Sequence, residues 1–326
     1  MATLTRLWSP DPTPIPPVVN ASTSHGNETG TFNSNQYSRW YEPQTMIAQW
    51  VAFPESFNTA PNVVLGLQFI NVKRGSSTGG LSVYADGTNE GFLMTLDAVA
   101  DSQLYTAICT WIAVPPYIAV NTTHYQVGHW STLEHHSRQP LQAATSSRIN
   151  FSYKCDVAPK VVVWIDGFEM ASEKDWRMKV YATQIDLTGF TIHIDTWNDT
   201  VLYVGNASWV AWPASTPNVV TGVLKPAHVH DLDGTGYAIG DRVHVEWPES
   251  VKTGRIPTVL TGFGSFDLAH NDWMRFSEVD GQTPPRMAWT GRSADTITPD
   301  FATGPCLILL PLCDGLGSCT KYKWVP

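Results

Sequence analysis

Residues 177–182 run Arg-Met-Lys-Val-Tyr-Ala, and residues 190–195 run Phe-Thr-Ile-His-Ile-Asp, so that apolar side chains recur at every second position. Alternation of this kind, bounded by Gly, Asn, Asp, Ser or Pro, predicts short strands with one buried face. Residues 160–166 form a β-branched run and 207–212 an apolar one, both of strand length. No stretch carries a helical period. Short strands at this spacing predict small antiparallel sandwiches.

The pattern repeats. Gly30-Thr31-Phe32 returns as Gly128-His129-Trp130, Phe53 as Phe151, Pro61-Asn62-Val63-Val64 as Pro159-Lys160-Val161-Val162, and Gly91-Phe92 as Gly189-Phe190. Tyr105 returns as Tyr203, Trp111 as Trp209 and Pro115 as Pro213, every pair being 98 residues apart. A third copy is weaker. Phe53-Pro54-Glu55-Ser56 reappears as Trp247-Pro248-Glu249-Ser250, and after a two-residue insertion Pro61 meets Pro257, Val63 meets Val259, Gly66 meets Gly262, Tyr105 meets Phe301 and Pro115 meets Pro311. Its counterpart of Gly91-Phe92 is Met287-Ala288. These matches predict modules at 28–117, 126–215 and 224–312, after a Pro-rich arm (1–27) and before a tail (313–326).

Composition narrows the function. With 43% hydrophobic residues and 14 Trp in 326 residues, the chain can bury a core. Its 20 basic against 29 acidic residues leave a net charge of −9, which opposes the counterion release that holds proteins on nucleic acid. Residues 1–20 hold five prolines and no long apolar run, so neither a secretory signal nor membrane insertion is expected. The expectation is a cytoplasmic protein released on damage, with the sequons at Asn20, Asn27, Asn121, Asn150, Asn198 and Asn206 unused. The five cysteines show no C-x-x-C spacing, which argues against zinc; Cys306, Cys313 and Cys319 are close enough for one disulfide in the tail.

The second copy carries a more specific pattern. Asp175-Trp176-Arg177, Thr188-Gly189-Phe190, Thr196-Trp197-Asn198-Asp199-Thr200, Tyr203 and Ser208-Trp209-Val210 resemble the H-type lectin module of snail and slug agglutinins, with the same intervals between the Arg, the Gly-Phe, the first Trp, the Tyr and the last Trp. The resemblance covers the second copy well, the first moderately and the third poorly. It implies an all-β chain of three tandem six-stranded antiparallel β-sandwiches. The family module works as a trimer, so these three are expected to pack as an internal pseudo-trimer in a monomeric chain. It also implies a site for terminal N-acetylgalactosamine or galactose at each contact between neighbours, with no metal or cofactor and no catalysis.

Carried over residue by residue, the family's sugar-binding Arg falls on Arg177, its aromatic on Trp197, its polar residue on Asn198 and its Tyr on Tyr203. Two positions depart. Asn198 stands where the family usually has His, and the loop 131–139, which should supply an Asp, offers Glu134, His135 and His136. A sugar presents a C–H face that an indole can cover and vicinal hydroxyls that carboxylate and guanidinium groups can hold. Copy one has Val99, Ala100 and Gly80 at the matching places and contributes poorly, whereas copy three offers Arg275 and Asp233. The expected site is therefore a composite of Trp197, Asn198 and Tyr203 facing Arg275 and Asp233.

Other readings compete. Trp209, Trp111, Phe190 and Phe92 sit in apolar runs and read as core, and Arg177 can be a plain surface ion-pairing residue. His228-Val229-His230 begins like a metal site, but no following His completes it, and Gly234-Thr235-Gly236 lacks the strand–turn–helix context of a phosphate loop. No Ser, Cys or paired-carboxylate constellation reads as catalytic. The alternative to a glycan-binding protein is a structural or interaction module that has kept the fold and lost the sugar.

Overall fold

A computed structural model of the chain describes residues 27–39, 41–116, 125–139, 141–216, 219–224, 243–245, 258–268, 273–276, 287–289 and 302–309. The first repeat contributes β1 (Glu28–Asn33), β2 (Met46–Ala52), β3 (Asn62–Lys73), β4 (Thr78–Gly87), β5 (Gly91–Ala98) and β6 (Gln103–Val114). The second contributes β7 (Gln126–Ser131), β8 (Ala144–Asn150), β9 (Pro159–Ala171), β10 (Trp176–Thr183), β11 (Gly189–Asp195) and β12 (Leu202–Pro213). The last third contributes β13 (Val219–Leu224), β14 (Val243–Val245), β15 (Thr258–Thr261), β16 (Ser265–Leu268), β17 (Trp273–Phe276), β18 (Met287–Trp289) and β19 (Ala302–Leu309). The arm 1–26 and the tail from 310 lie outside the described residues.

The two complete repeats have one topology. In each, the first, sixth and third strands pair in that order, as do the second, fifth and fourth: β1-β6-β3 with β2-β5-β4, and β7-β12-β9 with β8-β11-β10. In the last third the counterpart of β3 and β9 is broken into β15 and β16, both paired with β19. Among the described residues all pairings are antiparallel, as the short alternating strands predicted, and the only helices are single 3-10 turns at Ser34–Gln36 and Thr132–Glu134.

Packing explains the residues that recur. Phe53, Phe92 and Trp111 form an aromatic triangle with centroid separations of 5.7, 6.2 and 5.3 Å, and Phe151, Phe190 and Trp209 repeat it at 5.8, 6.2 and 5.2 Å. Each triangle sits between its repeat's two sheets. The recurring glycine on the first strand makes room for it: a Cβ on Gly30 would stand 2.6 Å from the Trp111 indole, and one on Gly128 would stand 2.7 Å from that of Trp209.

Sheets do not stop at repeat boundaries. β4 pairs with β9, β10 with β16 and β17 with β3, so the fourth strand of the first repeat pairs with the second repeat, that of the second with the last third, and a strand of the last third with the first repeat. Where β3, β9 and β15 converge lies a second core of Val64, Val162 and Leu260, joined by Ile112, Val210, Trp212 and Trp164. Backbone bonds tie the convergence, with Phe263 N–H donating to the Leu67 carbonyl and Ile165 N–H to the Phe263 carbonyl, both at 2.8 Å.

Candidate functional site

The edge-to-edge meeting of β10 and β16 places Arg177 directly opposite Asp267. The Arg177 Nε donates to Asp267 Oδ1 at 2.8 Å, Nη1 donates to Asp199 Oδ1 at 2.7 Å, and Nη2 donates to Asp175 Oδ2. The second oxygen of Asp267 accepts from the Trp197 indole N–H at 3.2 Å. One carboxylate from the last third of the chain thus holds both the Arg and the Trp that the second repeat supplies.

The turn between β11 and β12 presents Trp197. Asn198 takes a left-handed φ of 55°, a conformation that Asn tolerates better than most residues, and this reverses the chain just after the indole. Thr200 Oγ1 donates to the Asp175 carbonyl at 2.8 Å, tying this turn to the one before β10. Trp197 is partly buried, while Asn198 and Asp199 are exposed.

Three carboxylates around one guanidinium leave the group with an excess of negative charge. Desolvation acts to lower the Arg177 pKa, but the hydrogen bond to Asp199 and the charges of Asp267 and Asp175 more than offset it and raise the value above the ordinary one. The hydrogen bond from Arg177 in turn holds the Asp199 carboxyl below the usual range. The Arg177 side chain is only 11% exposed against 53% for Asp199, so acceptor oxygens form the open part of the group.

The expected residues divide among different places. Tyr203 lies on β12, where the Arg138 guanidinium sits 5.8 Å from its ring centre and pairs in turn with Glu169. Arg275 lies on β17 with its backbone opposite Asn71 of β3, whereas the residue of the last third that stands opposite Arg177 is Asp267. Asp233 lies outside the described residues. In the loop 131–139, Glu134 accepts from the Ser131 backbone N–H in a capping box, and His136 Nε2 is 3.1 Å from Thr145 Oγ1.

Asp267 is the residue that sequence reasoning missed. A signal existed: Asn71, Glu169 and Asp267 recur at 98-residue spacing, an acid or amide each time. In the fold they face Arg275, Gly80 and Arg177 across the three strand junctions. Only at the β10–β16 junction is an Arg–carboxylate pair joined by an indole among the described residues. Among those residues no group of three or more His, Cys, Asp or Glu is arranged to hold a metal ion.

Arg177, Asp199, Trp197 and Asp267 together offer an aromatic ring beside oxygen acceptors and a cation, an arrangement suited to a polyol with an apolar face. Comparison with known sequences finds no match among curated proteins. The family model described as the H-type lectin domain matches the chain twice, over residues 48–114 and 146–212.

Proposed function

We infer that this chain, which the H-type lectin domain model matches at residues 48–114 and 146–212, binds carbohydrate. The observation that carries the reading is the Asp267 carboxylate, which bridges Arg177 and Trp197 at a strand junction within reach of solvent. A pyranose placed there can lay its C–H face on the indole and give its hydroxyl protons to Asp199 and Asp267. Terminal galactose or N-acetylgalactosamine is the sugar class that the family resemblance favours. The protein acts by binding alone, on glycoprotein or glycolipid sugars, in the cytoplasm or after release from damaged cells.

In this reading a single chain supplies all three modules, the third diverged, and closes them into an internal pseudo-trimer. What supports it is the set of junctions β4–β9, β10–β16 and β17–β3, which together join each repeat to both others. One shallow site binds weakly, so avidity for a glycan-covered surface would come from several chains or several sites acting together.

A second reading has an observation in its favour: each nitrogen of the Arg177 guanidinium already donates to a carboxylate, as in a purely structural ion-pair network. A glycan array probed with the full chain separates the two. Binding to galactose-type glycans that is lost in Trp197→Ala supports the lectin reading. A blank array across galactose-type, mannose-type and sialylated glycans ends it.

A further inference from the structure

Beneath the convergence of the repeats lies a carboxylate that the glycan site does not use. Asp166, near the middle of β9, has a side chain only 2% exposed. Its Oδ2 accepts from Ser208 Oγ at 2.5 Å and lies 3.6 Å from His129 Nε2, while its Oδ1 is buried with no hydrogen-bond partner. Among the described residues no Lys or Arg pairs with it. The groups that bear on it electrostatically are His129 of β7, whose side chain is 49% exposed, and Cys109 of β6, which is fully buried.

Its position is shared by three repeats. The Ser208 hydroxyl that donates to Asp166 also receives the Leu65 backbone N–H of β3 at 3.4 Å, so the carboxylate is one bond away from the first repeat. The neighbouring Ile165 N–H donates to Phe263 of the last third. At the equivalent place the first repeat has Gln68, which donates to Thr110 and, at 2.9 Å, to Thr261, and the last third has Gly264. The second repeat alone puts an ionisable group here.

We propose that Asp166 is a pH-sensitive joint between the repeats, which tightens when its carboxyl is neutral and loosens when it is ionised. An ionised carboxylate with one oxygen unpaired in a dry interior is unfavourable, and the neutral acid is far less so. Burial accordingly raises the group from its ordinary value to about 6, with the charge of His129 and the Ser208 hydrogen bond pulling the other way.

The sign follows from linkage. With the folded value raised above the unfolded one, the folded chain holds a proton that the unfolded chain has released at any pH between the two. This contribution is fully present below the unfolded value, near 4, and is lost as pH rises through about 6. The folding equilibrium then weakens by up to roughly tenfold per pH unit, or roughly a hundredfold over the window. Carboxylates held low, such as Asp186 at about 2 through its bonds with Thr188 and Arg148, act in the opposite direction in acid. The readout is therefore the difference between two chains at each pH.

The experiment is urea unfolding of the full chain and of Asp166→Asn from pH 4.5 to 8. The expected result is that the Asn variant gains on the wild type as pH rises, with the difference levelling off above the carboxyl's titration. A difference that stays constant over the range overturns the proposal. If Asp166→Asn does not fold, His129→Ala decides. Removing the charge that pulls the Asp166 value down must move the wild-type stability loss to higher pH, and an unmoved midpoint overturns the joint.

Discussion

Gly262 stands against Trp164 so closely that a Cβ on the glycine would lie 2.7 Å from the indole. Gly66 would place a Cβ 3.0 Å from the same ring. Positions 66, 164 and 262 are equivalent by the 98-residue repeat, so one large residue and two glycines share a space that three identical copies would have to fill alike. Trp164 is fully buried there. Gly262→Ala is expected to cost about 1–3 kcal/mol by overpacking, and Gly66→Ala less, because its neighbour has a few tenths of an ångström more room. Trp164→Ala should cost about 3–5 kcal/mol. A double-mutant cycle checks the cause: the Gly262→Ala penalty should vanish in the Trp164→Ala background, and simple additivity of the two in urea unfolding counts against the contact.

At the proposed glycan site, Trp197→Ala should remove the stacking face and weaken sugar binding by about 1–3 kcal/mol while the fold persists. Asp267→Ala should weaken it comparably, since that carboxylate positions both Arg177 and Trp197 although it lies outside both matched domains. Calorimetric titration of the full chain with the best sugar on the array reads both. Undiminished affinity in Asp267→Ala would show that the β10–β16 junction is not where the sugar sits.

The two arginines should now behave differently. Arg177 belongs to the Trp197 group, whereas the backbone of Arg275 pairs opposite Asn71 at a separate junction. Arg177→Ala is therefore expected to abolish binding at the Trp197 site, and Arg275→Ala to leave it within twofold. Equal losses in the two variants would restore the composite of Trp197 with Arg275 that the family resemblance and the repeat spacing together suggested.

How the fold and the site were legible differs for a physical reason. Strand alternation and the recurring Gly, Phe and Trp are local or strictly periodic, and the aromatic triangles with Gly30 and Gly128 beneath them made that periodicity visible in the chain. Arg177 and Trp197 do not recur in this way, the first copy having Gly80 and Val99 at the matching places, and they were singled out by the family resemblance. Asp267 showed in the sequence only as a recurrence with Asn71 and Glu169, and its role depends on β16 pairing with β10, a non-local contact that no local pattern encodes. Tyr203 was grouped with Trp197 by the family resemblance. The register of β12 carries it instead to Arg138 and the neighbourhood of Glu169.

The junctions also bear on the mass of the particle. Were the repeats to pair between chains, the fourth strand of each repeat would offer its free edge to another molecule, and the assembly would contain three chains or grow without closing. Within this chain, β4, β10 and β17 are each already taken by a strand of another repeat. The glycine–tryptophan complementarity adds that positions 66, 164 and 262 are not interchangeable, since a second Trp in place of Gly66 or Gly262 would clash with Trp164. A single chain is therefore expected to satisfy its own edges, and light scattering in solution should give 36.0 kDa at all practical concentrations. A stable mass three times larger, undiminished on dilution, would mean that the repeats pair between chains and that the closed single-chain arrangement is wrong.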